Sequence, residues 1–225
     1  MQAGTILFSE MTPPPEMEEA FNAWYDDEHI PLRMAVPGFL GARRYCRQED
    51  GQEDSKYLAV YDMESEATLG SAAYREVKDN PSDLTRRMLS SVSGFSRYIA
   101  NHIGTQRRDD IDGDAMEAPV LYAVFFNVPE DRHGDFNEWY QVDHVPALLR
   151  NRDWLMCRRF AVTLGEPWDV THLALHYLRS AEALDSEERE VARATEWRAR
   201  LAKEPWFKAK YLLFQRFGRR FAPKG

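Results

Sequence analysis

Two stretches of the chain carry one chemical pattern, W-Y-x-x-[acid]-H-x-P. The first is Trp24, Tyr25, Glu28, His29 and Pro31; the second is Trp139, Tyr140, Asp143, His144 and Pro146. On a helix, residues four apart are neighbours, so Trp24 lies over Glu28 and Tyr25 over His29. A histidine beside a carboxylate and a phenol is suited to proton transfer near neutral pH. His29 is the candidate proton-transfer group, with Tyr25 and Glu28 tuning or orienting it. A structural reading stands beside this one. Aromatics at helical spacing usually fill cores, and a histidine at a helix end usually caps carbonyls.

Further candidates sit on extended segments. Alternation puts Tyr57, Ala59 and Tyr61 on one face of a strand, and Leu58 and Val60 on the other. The second copy reads His172, Ala174 and His176 against Leu173 and Leu175. The aliphatic face is expected to pack on helices, leaving Tyr57, Tyr61, His172 and His176 to line an internal pocket with Trp24, Trp139, Tyr140 and His144. Arg43–Arg44 and Arg158–Arg159 occupy equivalent places on the preceding strands. One of each pair, Arg44 and Arg159, is a candidate to point inward and hold a carboxylate or enolate; surface ion pairs are the alternative. His172 and His176 are ~13 Å apart along a strand, too far to share one metal ion. Neither metal nor cofactor is expected: there is no P-loop, nucleophile elbow or dinucleotide-binding glycine motif, and Cys46 and Cys157 lie in apolar runs as structural thiols.

The elements that must position these residues also come in duplicate. Phe21–Tyr45 and Phe136–Phe160 align without a gap at an offset of 115, with nine of 25 positions identical, and the offset continues into the third strands. Two homologous halves follow, about 1–106 and 117–225, joined by an acidic linker at 107–116. The linker's Asp110, Asp112 and Asp114 do not match a calcium loop, because the glycine and closing glutamate are misplaced. Each half reads strand, helix, strand, strand, helix, strand. In the first half these are Ile6–Phe8, a helix opening at PPPEMEE and stopping near His29 before Pro31, Gly41–Cys46, Tyr57–Tyr61, a helical stretch over 65–92 broken near Pro81, and Arg97–Ile103. In the second they are Val120–Phe126, a helix capped by Asp131, Met156–Val162, His172–Tyr177, a helix over 186–203, and Lys210–Phe217. QEDGQED and TLGEPWD are the hairpin turns. The expected fold class is α+β: two ferredoxin-like βαββαβ repeats whose bare sheet faces cover each other as an intramolecular barrel with a cavity.

Composition narrows the partners. The chain has 225 residues, is 44% hydrophobic and carries a net charge of −8, which disfavours nucleic acid and anionic lipid. No apolar run approaches the ~20 residues of a membrane helix, and the N-terminus lacks a basic signal region. Two cysteines suit a reducing compartment, so a cytoplasmic protein is expected.

The run W-Y-x-x-E-H-I-P, followed by Pro37-Gly38-Phe39 and by Arg44, resembles the EthD-type family of the dimeric α/β-barrel superfamily. The second half matches at Trp139, Tyr140, Asp143, His144 and Pro146, and departs where Arg152-Asp153-Trp154 replaces Pro-Gly-Phe. The resemblance implies cavity-bearing barrels, often dimeric. It also implies relatives that include cofactor-free monooxygenases, lactone isomerases, polyketide cyclases, decarboxylases and haem enzymes. The resulting expectation is a cofactor-independent lyase, isomerase or cyclase acting on a hydrophobic aromatic or carbonyl-bearing small molecule. A cofactor-free monooxygenase and a non-catalytic ligand carrier are the alternatives, and a homodimer of the fused barrel is possible. Because half one keeps the Pro-Gly-Phe turn, one working site centred on His29 is expected, with His144 mainly structural.

Overall fold

Runs rich in β-branched and aromatic residues, such as TILFSEMT and VLYAVFF, form strands with nearly every residue buried, as expected of a sheet covered on both faces. The computed structural model describes residues 3–47 and 57–223. The strands are β1 (Thr5–Thr12), β2 (Phe39–Arg47), β3 (Tyr57–Met63), β4 (Ser93–Arg107), β5 (Val120–Phe126), β6 (Trp154–Glu166), β7 (His172–Leu178) and β8 (Ala209–Phe221). They hydrogen-bond in the order β1-β3-β2-β8-β5-β7-β6-β4, a closed barrel. Within each unit the strands pair antiparallel, for example Phe8 opposite Val60 and Tyr122 opposite His176. Among the described residues, no helix is long and apolar enough to cross a membrane.

Two compact units divide the chain. Unit 1 comprises Met1–His102, Thr163–Trp168 and Phe217–Gly225; unit 2 comprises Ile103–Val162 and Asp169–Arg216. In unit 1, β1 pairs with both β3 and β4, and β3 with β2. The helices are α1 (Glu18–Trp24), α2 (Ile30–Met34), α3 (Ala72–Asp79) and α4 (Asp83–Ser91). In unit 2, β5 pairs with both β7 and β8, and β7 with β6. Its helices are α5 (His133–Trp139), α6 (Val145–Leu148), α7 (Glu187–Arg193) and α8 (Glu196–Leu201). The second helical stretch of each half starts at a hydroxyl cap: Ser71, Ser82, Ser186 and Thr195 each accept a backbone N–H three residues on. Each such cap stabilises its helix by about 1 kcal/mol.

Three sequence expectations change here. The first helix does not stop at His29. Pro31 lacks an N–H, and the chain absorbs the gap by widening into a π-turn at Tyr25–His29, where the Ile30 N–H reaches Tyr25 O; it then runs on as α2. The second copy does the same at Tyr140–His144, with Val145 N–H on Tyr140 O. Asp131 is not the cap of α5; it lies inside a 3-10 turn, Glu130–Arg132, and α5 starts without a side-chain cap. The helix expected over 186–203 breaks between α7 and α8, where Thr195 caps anew. QEDGQED lies outside the described residues.

The largest correction concerns faces. The strands alternate as expected, but the aromatic face is the one against the helices. Tyr57, Ala59 and Tyr61 belong to a core with Phe21, Trp24, Tyr25, Ile30, Tyr74 and Met88. In unit 2, Ala174 packs with Phe136, Trp139, Tyr140 and Trp154, the His172 ring lies 5.0 Å from Phe136, and His176 lies 5.3 Å from Trp154. Leu58, Val60, Leu173 and Leu175 are buried on the opposite face. The helices bring mostly aromatics to the sheet, and an aromatic strand face complements them better than an aliphatic one. The phenol groups on that face still need partners, and the helices supply them. Tyr57 Oη donates to Glu18 Oε1 (2.5 Å) and accepts from Asn22 Nδ2 (3.1 Å).

Candidate functional site

The π-turn decides what surrounds each motif histidine. Its extra residue swings the histidine under the tryptophan five positions back as well as the tyrosine four back. His29 thus lies 4.4 Å from the Trp24 ring and 4.7 Å from Tyr25. Glu28 is turned away, so it does not orient His29. It accepts hydrogen bonds from Ser82 Oγ (2.5 Å) and Thr85 Oγ1 (2.7 Å), tying the π-turn to the start of α4. Trp24 Nε1 donates to the same Thr85 hydroxyl (2.9 Å).

His29 itself is sealed. It is 4% exposed, and its Nδ1 is buried without a hydrogen-bond partner. Burial, followed by the nearby Arg33 and Arg44 charges, holds its pKa well below the ordinary histidine value. Burial likewise raises the Tyr25 and Tyr61 phenols. Tyr61 Oη makes no hydrogen bond of acceptable geometry, although it is near enough to Tyr25 for the two phenols to influence each other.

Arg44 does not wait for a ligand either. Its guanidinium donates to Asp26 Oδ1 (2.7 Å) and Asn22 Oδ1 (2.5 Å) and lies 4.5 Å from the Tyr25 ring centre. It is a satisfied buried cation, and removing one partner of such a pair costs about 3–5 kcal/mol. Arg159 is its counterpart. It donates to Asn137 O (3.1 Å) and Gln141 Oε1 (2.7 Å), because Gln141 replaces the Asp26 carboxylate. Burial lowers its pKa.

Unit 2 holds an open space beside its motif histidine. A cavity of about 50 Å³ lies between its sheet and helices, lined by Tyr122, Tyr140, Trp139, Trp154, His144, His176, Arg189, Arg193, Arg198, Phe207 and Tyr211, among others. That is room for a few waters at the size of about one probe sphere each. At the offset of 115, Arg189 stands where unit 1 has Tyr74, which is buried and stacked on Phe39 at 5.9 Å. His29 lines neither this cavity nor the smaller one beside Arg159 and His172. The sequence expectation of one site around His29, with Tyr57 and Tyr61 joining His172 and His176 in a single lining, is therefore not what the geometry brings together. Each pair belongs to the helix-side face of its own unit.

The two cavity histidines differ in their lone pairs. His176 Nδ1 accepts from Trp154 Nε1 (3.0 Å), and its Nε2 faces Cys157 Sγ at 3.9 Å. Burial, then the neighbouring His144, lowers its pKa to about 3. His144 Nδ1 lies 3.4 Å from Ala192 O, a group that only accepts, so the proton sits on Nδ1 and the Nε2 lone pair is left over. Its ring stacks on Trp139 at 4.5 Å and 27°. Burial is the main cause of its pKa of about 4; Arg198, Arg189 and Arg193 push the same way against the Ala192 contact. Asp143, like Glu28, serves the fold: it accepts from Thr195 Oγ1 (2.6 Å) at the α8 cap.

The arginines were missed in the sequence. Their stretch reads as a polar Glu/Arg/Ala helix, a pattern that usually means a solvated face. The available signal was positional: Arg189 and Arg193 are four apart on α7, and the offset sets Arg189 against an aromatic. Among the described residues, no group of three His, Cys, Asp or Glu side chains is arranged to hold a metal ion.

Comparison with known proteins speaks to the fold. No protein-family profile matches the chain, and no curated protein matches it in sequence. Among solved structures, an anthrone oxidase-like protein superposes with a TM-score of 0.66 at 10% identity, over 98% of this chain and 93% of that one. A Fusobacterium nucleatum protein provisionally named a monooxygenase gives 0.59 at 10% identity, over 100% and 97%. A chlorite dismutase variant from Candidatus Nitrospira defluvii gives 0.64 at 8% identity, over 97% and 93%. At these identities the likeness is one of fold: the chain shares the dimeric α/β-barrel architecture of these proteins.

Proposed function

We propose that this chain is a tandem, EthD-type pair of ferredoxin-like halves in which the unit 2 cavity is the working site of a cofactor-independent proton-transfer enzyme, a lyase, isomerase or cyclase. The observation that carries the reading is His144: a neutral imidazole with an uncommitted Nε2, lining an aromatic cavity beside three arginines. In this scheme Nε2 takes a proton from the carbon next to a substrate carbonyl. The C–H electron pair moves onto the carbonyl oxygen, where the guanidiniums offset the developing charge. Imidazolium in this setting is a strong acid, so it returns the proton readily. Return to a different carbon isomerises the substrate; return to a departing oxygen completes an elimination. The weak basicity of His144 means that the arginines must lower the carbon acid's own pKa.

The test follows the acidic C–H signals of a panel of aryl ketones and aromatic 1,3-dicarbonyl compounds by NMR in deuterium oxide. The wild type should exchange at least one panel member, and His144→Gln should lower that rate by ~10²-fold or more while His29→Gln does not. Equal loss in both variants, or none in His144→Gln, would remove the assignment.

The names of two fold neighbours, anthrone oxidase-like and monooxygenase, favour a second reading. The same enolate would give its electrons to dioxygen. Substrate-dependent oxygen uptake at an electrode supports that reading, and turnover under nitrogen supports the first.

A further inference from the structure

We infer that the unit 2 cavity is built for a planar aromatic carboxylate: the ring is received over Tyr122 and beside Trp139, in the place of the exposed Tyr211 ring, and the carboxylate is held by Arg189, Arg193 and Arg198. This deepens the reading of the same cavity as the working site, but binding can be scored without turnover.

The charge arrangement is the first observation. The three arginines come from two short helices, α7 and α8, whose caps place Arg189 and Arg198 at equivalent positions, three residues after Ser186 and Thr195. All three line the cavity, and all three bear on His144 electrostatically. Arg193 also lowers the pKa of Arg198, after burial as the larger cause. Their partners are mostly neutral. Arg189 Nη1 donates to Leu184 O, and Arg198 Nη1 to Arg193 O at 3.1 Å. Among the described residues one carboxylate pairs with the trio, Glu190 with Arg193 at 3.5 Å, on the solvent side. Like charges gathered around an apolar hollow repel one another, and an anionic ligand with two oxygens would convert that repulsion into hydrogen bonds.

A second, independent observation also asks for an acceptor. Trp139 is 2% exposed and lines the cavity, yet its indole Nε1–H has no partner. In unit 1 the equivalent Trp24 N–H is satisfied by Thr85. In unit 2 the position that matches Thr85, three residues after the helix cap, is Arg198, whose side chain offers no acceptor. A buried donor left open costs about 1–3 kcal/mol, and a ligand oxygen is one way to recover it.

The third observation concerns the ring. Tyr122 and Tyr211 are parallel to within 1° at 5.7 Å, but Tyr211 is 53% exposed. A ligand ring can take the place of Tyr211 over Tyr122 at little cost in burial, which adds the volume of that phenol ring to a cavity of about 50 Å³. The adjoining wall is Phe207, in the loop between α8 and β8.

The experiment is calorimetric titration of the full chain with 1-naphthoate, 1-naphthamide and inorganic phosphate, with a thermal melt on every variant to verify folding. Naphthoate should bind, naphthamide should bind at least about tenfold more weakly, and phosphate should not displace naphthoate at equal concentration. Arg189→Gln and Arg198→Gln should each weaken naphthoate by about tenfold or more, with Arg198→Lys partly restoring it. If the wild type binds naphthoate while its C–H exchange is absent, the catalytic reading fails and the carboxylate site stands. Equal binding of acid and amide, unchanged binding in folded arginine variants, no binding of naphthoate, or phosphate competing as well as naphthoate would each overturn the inference.

Discussion

Acid should unfold this protein through its histidines before its carboxylates titrate. His144 and His172 are held at about 4 and His176 at about 3, in each case chiefly because burial disfavours the charged ring. An unfolded histidine titrates near 6.5. Between pH 6.5 and the native values, the unfolded chain therefore binds more protons than the native one, and stability falls as pH falls. At pH 5 the unfolded ring is almost fully protonated and the native ring is not. The cost is about 1.4 kcal/mol per pH unit over 1.5 units, or about 2 kcal/mol per histidine. Three such groups amount to about 6 kcal/mol, a large part of the 5–15 kcal/mol that a native domain has in total. His29, also lowered by burial, acts in the same direction. The assay is denaturant unfolding at pH 7, 6 and 5, compared with His172→Gln. The wild type should lose several kcal/mol between pH 7 and 5, and the variant should lose about 2 kcal/mol less, whatever its stability at pH 7. A wild-type difference under about 1 kcal/mol, or an unchanged slope in His172→Gln, would mean that these rings are solvated or paired in the native state, and would refute the reasoning.

Three further outcomes follow from local geometry. Gly38 has φ +97°, and an added Cβ would lie 2.5 Å from Thr68 Oγ1, so Gly38→Ala should lower stability by about 1–3 kcal/mol in thermal melts. Glu28→Ala removes the acceptor shared by Ser82 and Thr85, which should cost about 1–3 kcal/mol while leaving naphthoate affinity in unit 2 unchanged by titration. Cys157 is buried with its thiol pushed up to about 12, so iodoacetamide followed by mass spectrometry should modify Cys46 first and Cys157 only in denaturant.

Sequence alone determined the periodic and the local. The order of strands and helices and the sharing of one strand face by Tyr57, Ala59 and Tyr61 were legible, because alternation and turn chemistry act over a few residues. Three things were not. The π-turn depends on how a chain absorbs the missing N–H of Pro31, and an α-helical template puts Glu28, rather than His29, against Trp24. Which strand face meets the helices depends on the partner surface: aliphatic residues suit either side, and the aromatic content of α1 and α5 settled it. The location of the cavity depends on what fills the space over the sheet. In unit 1 the offset places Tyr74, stacked on Phe39; in unit 2 it places Arg189, which lines the cavity. A hollow is a property of several elements packed together, and no window of sequence contains it.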